Sequence, residues 1–266
     1  MLEYLRLIIS RRELIADIFS RDLKQEYARY YLGVLWMNIQ PLAFITVIYL
    51  VVTIGLRGVT IDSKLPYSIW LLSAMIPWLF FLQNFTRGPM LISKYGFLVK
   101  KVEIDLIIAP IPLLLINAIP HMFLLLVTLV VVWVDADTIL PGATLLQIPY
   151  YFICMCLLVI GLNLLVSSCN LFIPDISNIV SLLAQFGFWL TPIFWDAGNI
   201  PQSIVPVLKL NPMFYIVEGY RSAFEGGVYF WDRPYETLYF WVFVYFLLRI
   251  SMYVFRRLQP HFAEVI

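Results

Sequence analysis

Long stretches without a charged residue are the clearest pattern in this chain. A helix needs roughly 20 mainly apolar residues to cross the hydrocarbon layer of a bilayer, and five charge-free stretches are long enough. A sixth apolar stretch, 235–255, contains only two charged residues, Glu236 near one end and Arg249 near the other. The predicted spans are about 38–56, 65–86, 106–134, 144–173, 177–195 and 235–255. Isolated strands would leave backbone groups unpaired in lipid, so the pattern predicts an all-α polytopic membrane protein with six transmembrane helices.

The N-terminal segment, 1–37, has an amphipathic pattern instead. Its apolar residues recur at near-helical spacing, opposite charged positions that can face water. These apolar positions are Leu5, Ile8, Ile15, Ile18 and Phe19. The pattern predicts an N-terminal amphipathic helix that lies in the membrane interface.

The segment 196–234 contains apolar pieces that are too short to cross a bilayer. Pro201, Pro206 and Pro212 separate these pieces. This punctuation favours a short re-entrant helical hairpin before the last span, and a plain outer loop is the alternative. The whole chain, 1–266, is then one membrane domain.

Composition and charge support a membrane location. Hydrophobic residues make up 62% of the chain and charged residues 13%, against about 25% charged in an ordinary soluble domain. With the N-terminus inside, thirteen Lys and Arg residues fall on the cytoplasmic side and five on the other. Positive residues favour the cytoplasm, so both termini are predicted to be cytoplasmic. The net charge of +1 gives no reason to expect a nucleic-acid partner.

The sequence contains none of three common catalytic motifs. It lacks the phosphate-binding Gly-x-x-x-x-Gly-Lys-Ser/Thr loop, the His-Glu-x-x-His zinc pair and the Gly-x-Ser-x-Gly nucleophile turn. His121 is either a proton relay or a neutral, hydrogen-bonded residue, and the lack of acidic partners in the spans favours the second. Asp135 and Asp137 are the nearest candidates for a membrane-embedded glycan enzyme, although they are more typical of a solvated turn. We predict no catalytic residue and no metal site.

Two further features have open interpretations. The segment 87–105 carries four basic residues around Tyr95 and Phe97, and it is either a solvated cytoplasmic loop or a docking surface for a soluble protein. Aromatic residues cluster late in the chain, among them Phe186, Trp189 and Phe194. They form either an interfacial belt or the lining of a path for sugars, whose apolar C–H faces stack on aromatic rings.

A series of short motifs resembles the ABC-2 type permeases that export bacterial polysaccharides, including O-antigen, and that are related to capsule and teichoic acid export permeases. The motifs are Arg21-Asp22-Leu23-Lys24 with Tyr27, Leu32-Gly33 and Trp36; Asp175-Ile176; Thr191-Pro192-Ile193; Leu210-Asn211-Pro212; and Glu218-Gly219 with Arg221. They occur in that family's order and spacing across nearly the whole chain.

The resemblance implies a homodimer in the bacterial inner membrane, with each six-helix subunit paired with a cytoplasmic ATPase. ATP and Mg would be used by that partner, and no cofactor would be bound by this chain. The cargo would be a lipid-linked glycan, with teichoic acid, capsular polysaccharide, a drug or a lipid as alternatives.

The resemblance also implies roles for particular residues. The gate segment would comprise Arg21, Asp22, Lys24, Tyr27, Tyr31 and Trp36. Coupling to the ATPase would involve Lys94, Tyr95, Phe97, Lys100 and Lys101, and the channel lining Tyr49, Phe186, Trp189 and Phe194. Glu218 and Arg221 would form an outer helix motif, either as a structural ion pair or as a contact with a lipid pyrophosphate or sugar.

Overall fold

The computed structural model describes residues 2–28, 30–52, 65–101, 106–134 and 142–265, with the side chains of 2–3, 5, 97–101 and 263 left out. The helices in these ranges are α1 (Leu2–Ser10), α2 (Arg12–Tyr27), α3 (Trp36–Leu50), α4 (Tyr67–Arg87), α5 (Leu91–Lys101), α6 (Pro110–Val134), α7 (Ile148–Asn170), α8 (Ile176–Leu190), α9 (Val205–Leu208), α10 (Pro212–Glu225), α11 (Pro234–Leu258) and α12 (Phe262–Val265). No strand occurs in the described ranges, which confirms the all-α prediction.

Five helical segments are long and apolar enough to cross a membrane. They are Gly33–Leu50, Tyr67–Gly96, Leu106–Val134, Ala143–Asn170 and Pro234–His261. They overlap five of the predicted spans, and residues 53–56 of the first predicted span lie outside the described ranges.

The fifth predicted span, 177–195, differs from the structure. Helix α8 has 15 residues, or about 22 Å, and so is shorter than the roughly 30 Å hydrocarbon layer. It ends at Leu190 because Thr191 is extended, with φ −95° and ψ 137°. A residue before proline is disfavoured in the helical region, and Pro192 follows directly.

Helix α4 lies at the centre of the bundle. It is buried on all sides from Ile69 to Phe81, as expected for a helix that is apolar all round. Helices α6, α7, α8 and α10 pack against it, and α7 and α11 form the most extensive helix pair in the described fold. Helices α3 and α11 instead expose many large apolar side chains, which is typical of surfaces that contact lipid.

The bundle has two distinct ends. At one, which we call the α2 end, α2 packs on α6 and buries Ile15 and Ile18, and α5 follows α4 after a short turn. At the other, the α10 end, α10 inserts between α4 and α7. The Tyr220 hydroxyl lies 3.1 Å from Nε2 of His121, so α10 reaches the middle of α6.

Gly219 allows α10 to approach α7 closely. A Cβ atom at this position would overlap the ring of Tyr151, which is buried and ties the two helices together through its contacts with Tyr215 and Tyr220. A rigid aromatic ring cannot move aside in a close-packed interior without displacing its neighbours.

We expect Gly219→Ala to lower the free energy of unfolding by about 1–3 kcal/mol, the usual cost of an overpacked core. Thermal unfolding in detergent micelles measures this loss. Gly198→Ala is the matched control, because the added Cβ meets nothing closer than 3.6 Å. Equal stability of the two variants would contradict the close α7–α10 contact.

Candidate coupling and gate sites

A buried carboxylate joins α2 to α5 at the α2 end. Asp22 is 2% exposed, and its Oδ2 accepts a hydrogen bond of 2.6 Å from the Tyr95 hydroxyl. Nζ of Lys94 lies 2.7 Å from the same oxygen, and Nη2 of Arg21 lies 3.1 Å from Oδ1. We call these four residues the Asp22 cluster. The structure thus unites two predicted gate residues with two predicted coupling residues, which lie 72 and 73 positions beyond Asp22.

The charge on Asp22 is stabilised by its partners. Burial raises the pKa of this carboxyl, but hydrogen bonds from Lys94 and Tyr95, the charge of Lys94 and a hydrogen bond from Arg21 together outweigh it and hold the pKa below its ordinary value. The carboxylate is therefore ionised at physiological pH. Its hydrogen bonds are then charge-assisted, which makes them stronger than bonds between neutral groups.

A second ion pair links the same face of α2 to the end of α4. Oε1 of Glu26 lies 2.7 Å from Nη1 of Arg87. Asp22 and Glu26 are four residues apart and therefore share one face of the helix. Helix α2 is thus tied to both α4 and α5. Glu26 was not among the site residues predicted from the sequence.

The other predicted gate and coupling residues lie outside the Asp22 cluster. Lys24, Tyr31 and Trp36 are exposed and Tyr27 is partly buried, so the turn between α2 and α3 presents aromatic side chains at the surface. The side chains of Phe97, Lys100 and Lys101 lie outside the part of the chain that the structure describes.

Three of the sequence motifs meet at the α10 end. Thr191 Oγ1 accepts a hydrogen bond of 2.9 Å from Asn211, whose own Oδ1 caps α10 by accepting from the Met213 backbone N–H. Arg221 donates from Nη2 to the carbonyl oxygens of Pro192, at 2.7 Å, and Ile193, at 3.2 Å. These bonds hold the end of α8 against the start and the middle of α10.

Arg221 is the centre of this junction. It is 4% exposed, its Nη1 lies 2.6 Å from Oε1 of Glu218, and its guanidinium carbon lies 3.6 Å from the ring centroid of Trp70. Stacking on a tryptophan face and bonding to carbonyl oxygens both suit the planar guanidinium. Because the group is buried and paired within the protein, the geometry favours the structural alternative for Glu218 and Arg221.

The predicted channel aromatics lie near this junction but do not form a single cluster. Phe186 and Trp189 are each 60% exposed on α8, and Phe194 packs edge-on against Trp189 with ring centroids 5.2 Å apart. Tyr49 stacks on Tyr67, which stacks on Trp70 beneath Arg221. These exposed faces suit both lipid contact and a channel lining.

The structure gives His121 a hydrogen-bond partner, Tyr220, and packs its ring between Phe80 and Phe152. No group of His, Cys, Asp and Glu suited to a metal ion occurs in the described ranges. Asp135 and Asp137 lie outside them.

Long apolar helices and polar clusters that join helices define a multi-pass helical membrane protein. The sequence pattern of the ABC-2 type transporter family matches residues 13–224 of the 266. The chain belongs to this family, whose permeases work with an ATPase subunit. The members of this family are transporters. The relatives described next are named as permease or transport proteins.

Curated relatives match most of the chain. It is 25% identical over 255 residues to the O-antigen export system permease protein RfbA of Klebsiella pneumoniae, covering 96% of this chain and 95% of the relative. It is 24% identical over 227 residues to the O-antigen export system permease protein RfbA of Myxococcus xanthus, covering 84% of this chain and 85% of the relative. It is 22% identical over 219 residues to the polysialic acid transport protein KpsM of Escherichia coli, covering 80% and 81%.

Proposed function

We propose that this chain is the permease subunit of an ATP-driven exporter that moves a lipid-linked, O-antigen-like polysaccharide across the bacterial inner membrane. Two copies of the chain form the membrane path, and two cytoplasmic ATPase subunits use ATP and Mg to drive it. Likeness to O-antigen export permeases along 96% of the chain supports the cargo class.

The observation that carries this proposal is the Asp22 cluster. In a coupled transporter, motion of the ATPase must reach the membrane path through a rigid connection that differs between two states. The α5 helix is the docking element, and α2 lies just before the first span. A buried, charge-assisted contact between α2 and α5 provides such a connection.

The chain path supports six crossings. Helix α7 ends at the α2 end, where Asn170 approaches Met90, and α11 begins at the α10 end, where Thr237 bonds Tyr215. Helix α8 leads from one end to the other despite its length, since the segment after it bonds Arg221. Six crossings place both termini at the α2 end, and the positive residues there make that end cytoplasmic.

The segments at the two ends fit this orientation. Helices α9 and α10 form a re-entrant hairpin from the outer side, and Tyr239 fastens its turn by donating to the carbonyl of Leu210. Irregular backbone is tolerated at such a depth because the surrounding helices bury it. Helices α1 and α2 form the amphipathic interfacial segment on the cytoplasmic side.

Two copies associate through α3 and α8, with Tyr49, Phe186, Trp189 and Phe194 toward the path between them. Both helices carry exposed apolar faces, of which that of α8 includes Leu182, Phe186 and Trp189. Aromatic faces stack on the apolar C–H faces of sugar rings, and an aromatic path therefore contacts a glycan without fixing one position.

The test is deletion of the gene in the bacterium that encodes it, followed by assay of surface polysaccharide and of lipid-linked polymer inside the cell. We expect loss from the surface with accumulation inside, and restoration by a plasmid copy of the gene. Deletion of the ATPase gene should give the same result. Loss of both pools would point to synthesis, and no change in either would exclude this cargo.

The alternative cargoes are capsular polysaccharide, teichoic acid, a drug or a lipid. The match to a polysialic acid transport protein over 80% of the chain favours a polysaccharide over a drug or a lipid. Assaying each surface polymer of the host separately distinguishes them.

A further inference from the structure

A cavity of about 350 Å³ lies between α1, α7 and α11. Its volume falls within the roughly 300–1,000 Å³ typical of ligand pockets. It is lined by Tyr4, Ile8, Leu157, Ile160, Leu164, Tyr245, Leu248, Arg249 and Met252. This cavity is separate from the Asp22 cluster and from the junction at Arg221.

The walls of the cavity are built from regular helical faces. The residues from α11 follow the spacing i, i+3, i+4 and i+7, and those from α7 the spacing i, i+3 and i+7, so each set lines one helix face. Helix α1 closes the third side, anchored by a hydrogen bond of 3.2 Å from the Tyr4 hydroxyl to the carbonyl of Ile107. The result is a largely apolar space between these helix faces.

Arg249 is the single charged residue in this lining. It is exposed, and no hydrogen bond or ion pair joins it to another of the described residues. It lies seven residues, or about 10 Å along the helix, inside Arg256 and therefore within the last span. An unpaired arginine at this depth is costly in hydrocarbon and requires an anion or water.

We propose that this cavity binds one anionic glycerophospholipid, with an acyl chain between the three helices and the phosphodiester on Arg249. The guanidinium fork matches two phosphate oxygens, and its single positive charge balances the single negative charge of a phosphodiester. A diphosphate-linked glycan carrier bears more negative charge than this one cation can balance. The bound lipid bridges α1 to α7 and α11, so it fixes the interfacial helix against the bundle.

Native mass spectrometry of the full-length chain in detergent, titrated with phosphatidylglycerol, tests this proposal. We expect one retained lipid per chain and a roughly ten- to hundredfold weaker affinity in Arg249→Gln, the loss expected for hydrogen bonds to a charged group. Met252→Trp should cause a similar loss by filling the cavity while leaving Arg249 in place. Size-exclusion profiles identify any variant that fails to fold.

Arg257→Gln is the matched control, because Arg257 lies on the same helix, is exposed and bonds Tyr253 instead. It should bind phosphatidylglycerol as the unmodified chain does. Equal binding by Arg249→Gln and the unmodified chain would overturn the proposal. Equal losses in Arg249→Gln and Arg257→Gln would also overturn it, since they would indicate surface charge alone. Preferential, Arg249-dependent binding of a polyprenyl diphosphate would assign the cavity to the cargo instead.

Discussion

Replacing Asp22 with alanine is expected to reduce export at least about tenfold while ATP hydrolysis by the assembled transporter continues. The variant removes the acceptor that Tyr95 and Lys94 share, so α2 loses its connection to α5. Hydrogen bonds to a charged group contribute roughly 1.5–3 kcal/mol, which corresponds to a ten- to hundredfold change in the population of the connected state. Lys94 can turn to solvent, because its side chain is 44% exposed.

Export and ATPase activity are measured on the same preparation, with Asp17→Ala as the matched control. Asp17 lies on the same helix, and its side chain is exposed. Asp22→Asn keeps an acceptor for Tyr95, so its export should lie between that of Asp22→Ala and that of Asp17→Ala. Full export by Asp22→Ala, or an equal loss in Asp17→Ala, would refute the coupling role of this carboxylate.

Replacing Arg221 with glutamine is expected to lower the free energy of unfolding by on the order of 3 kcal/mol, since it leaves buried partners without their cation. The variant deprives Glu218 of its ion pair, removes donors from the carbonyls of Pro192 and Ile193 and uncovers Trp70. Arg221→Lys should recover less than half of the loss, because an ammonium group cannot reproduce the planar fork. Thermal or denaturant unfolding in micelles measures each variant.

Lys209→Gln is the control for this prediction. Nζ of Lys209 lies 2.7 Å from Glu236 at the same end of the bundle, but its side chain is 42% exposed. Its removal should change stability by less than about 1 kcal/mol, as for other surface ion pairs. If Arg221→Gln unfolds like the unmodified chain yet exports poorly, Arg221 contacts cargo and the structural assignment is wrong.

The helical content and five spans could be predicted because they depend on local composition. A charge-free stretch of about 20 residues has no stable alternative to a helix in lipid. The residue at which α8 ends was harder to predict from the sequence. The fifth predicted span continued through Thr191 and Pro192, because hydropathy does not register the backbone restriction that proline imposes on its neighbour.

The partners of the site residues could not be predicted, because they come from distant parts of the chain. Asp22 and Tyr95 were assigned to separate functional groups, and nothing local joins them. One signal was present in the sequence. Asp22 follows Ile15 and Ile18 on the same face of α2, and a carboxylate on a face that is buried requires a partner.

The junction at Arg221 also depends on contacts between distant parts of the chain. The motifs around Thr191, Asn211 and Arg221 could be recognised individually, and their order suggested a family. Their convergence on one another depends on how α10 folds back into the bundle. The structural role of Arg221, which its contacts favour, could therefore not be decided from the sequence.

The short length of α8 has a consequence for the membrane if this helix crosses it as proposed. A helix of about 22 Å is shorter than a hydrocarbon layer of roughly 30 Å, so the layer next to the proposed crossing would be thinner. Hydrophobic mismatch of this kind draws headgroups and water inward. If α8 borders the export path, the dry distance that a hydrophilic polymer crosses is shortened by about 8 Å, and its dehydration cost falls before any ATP is consumed.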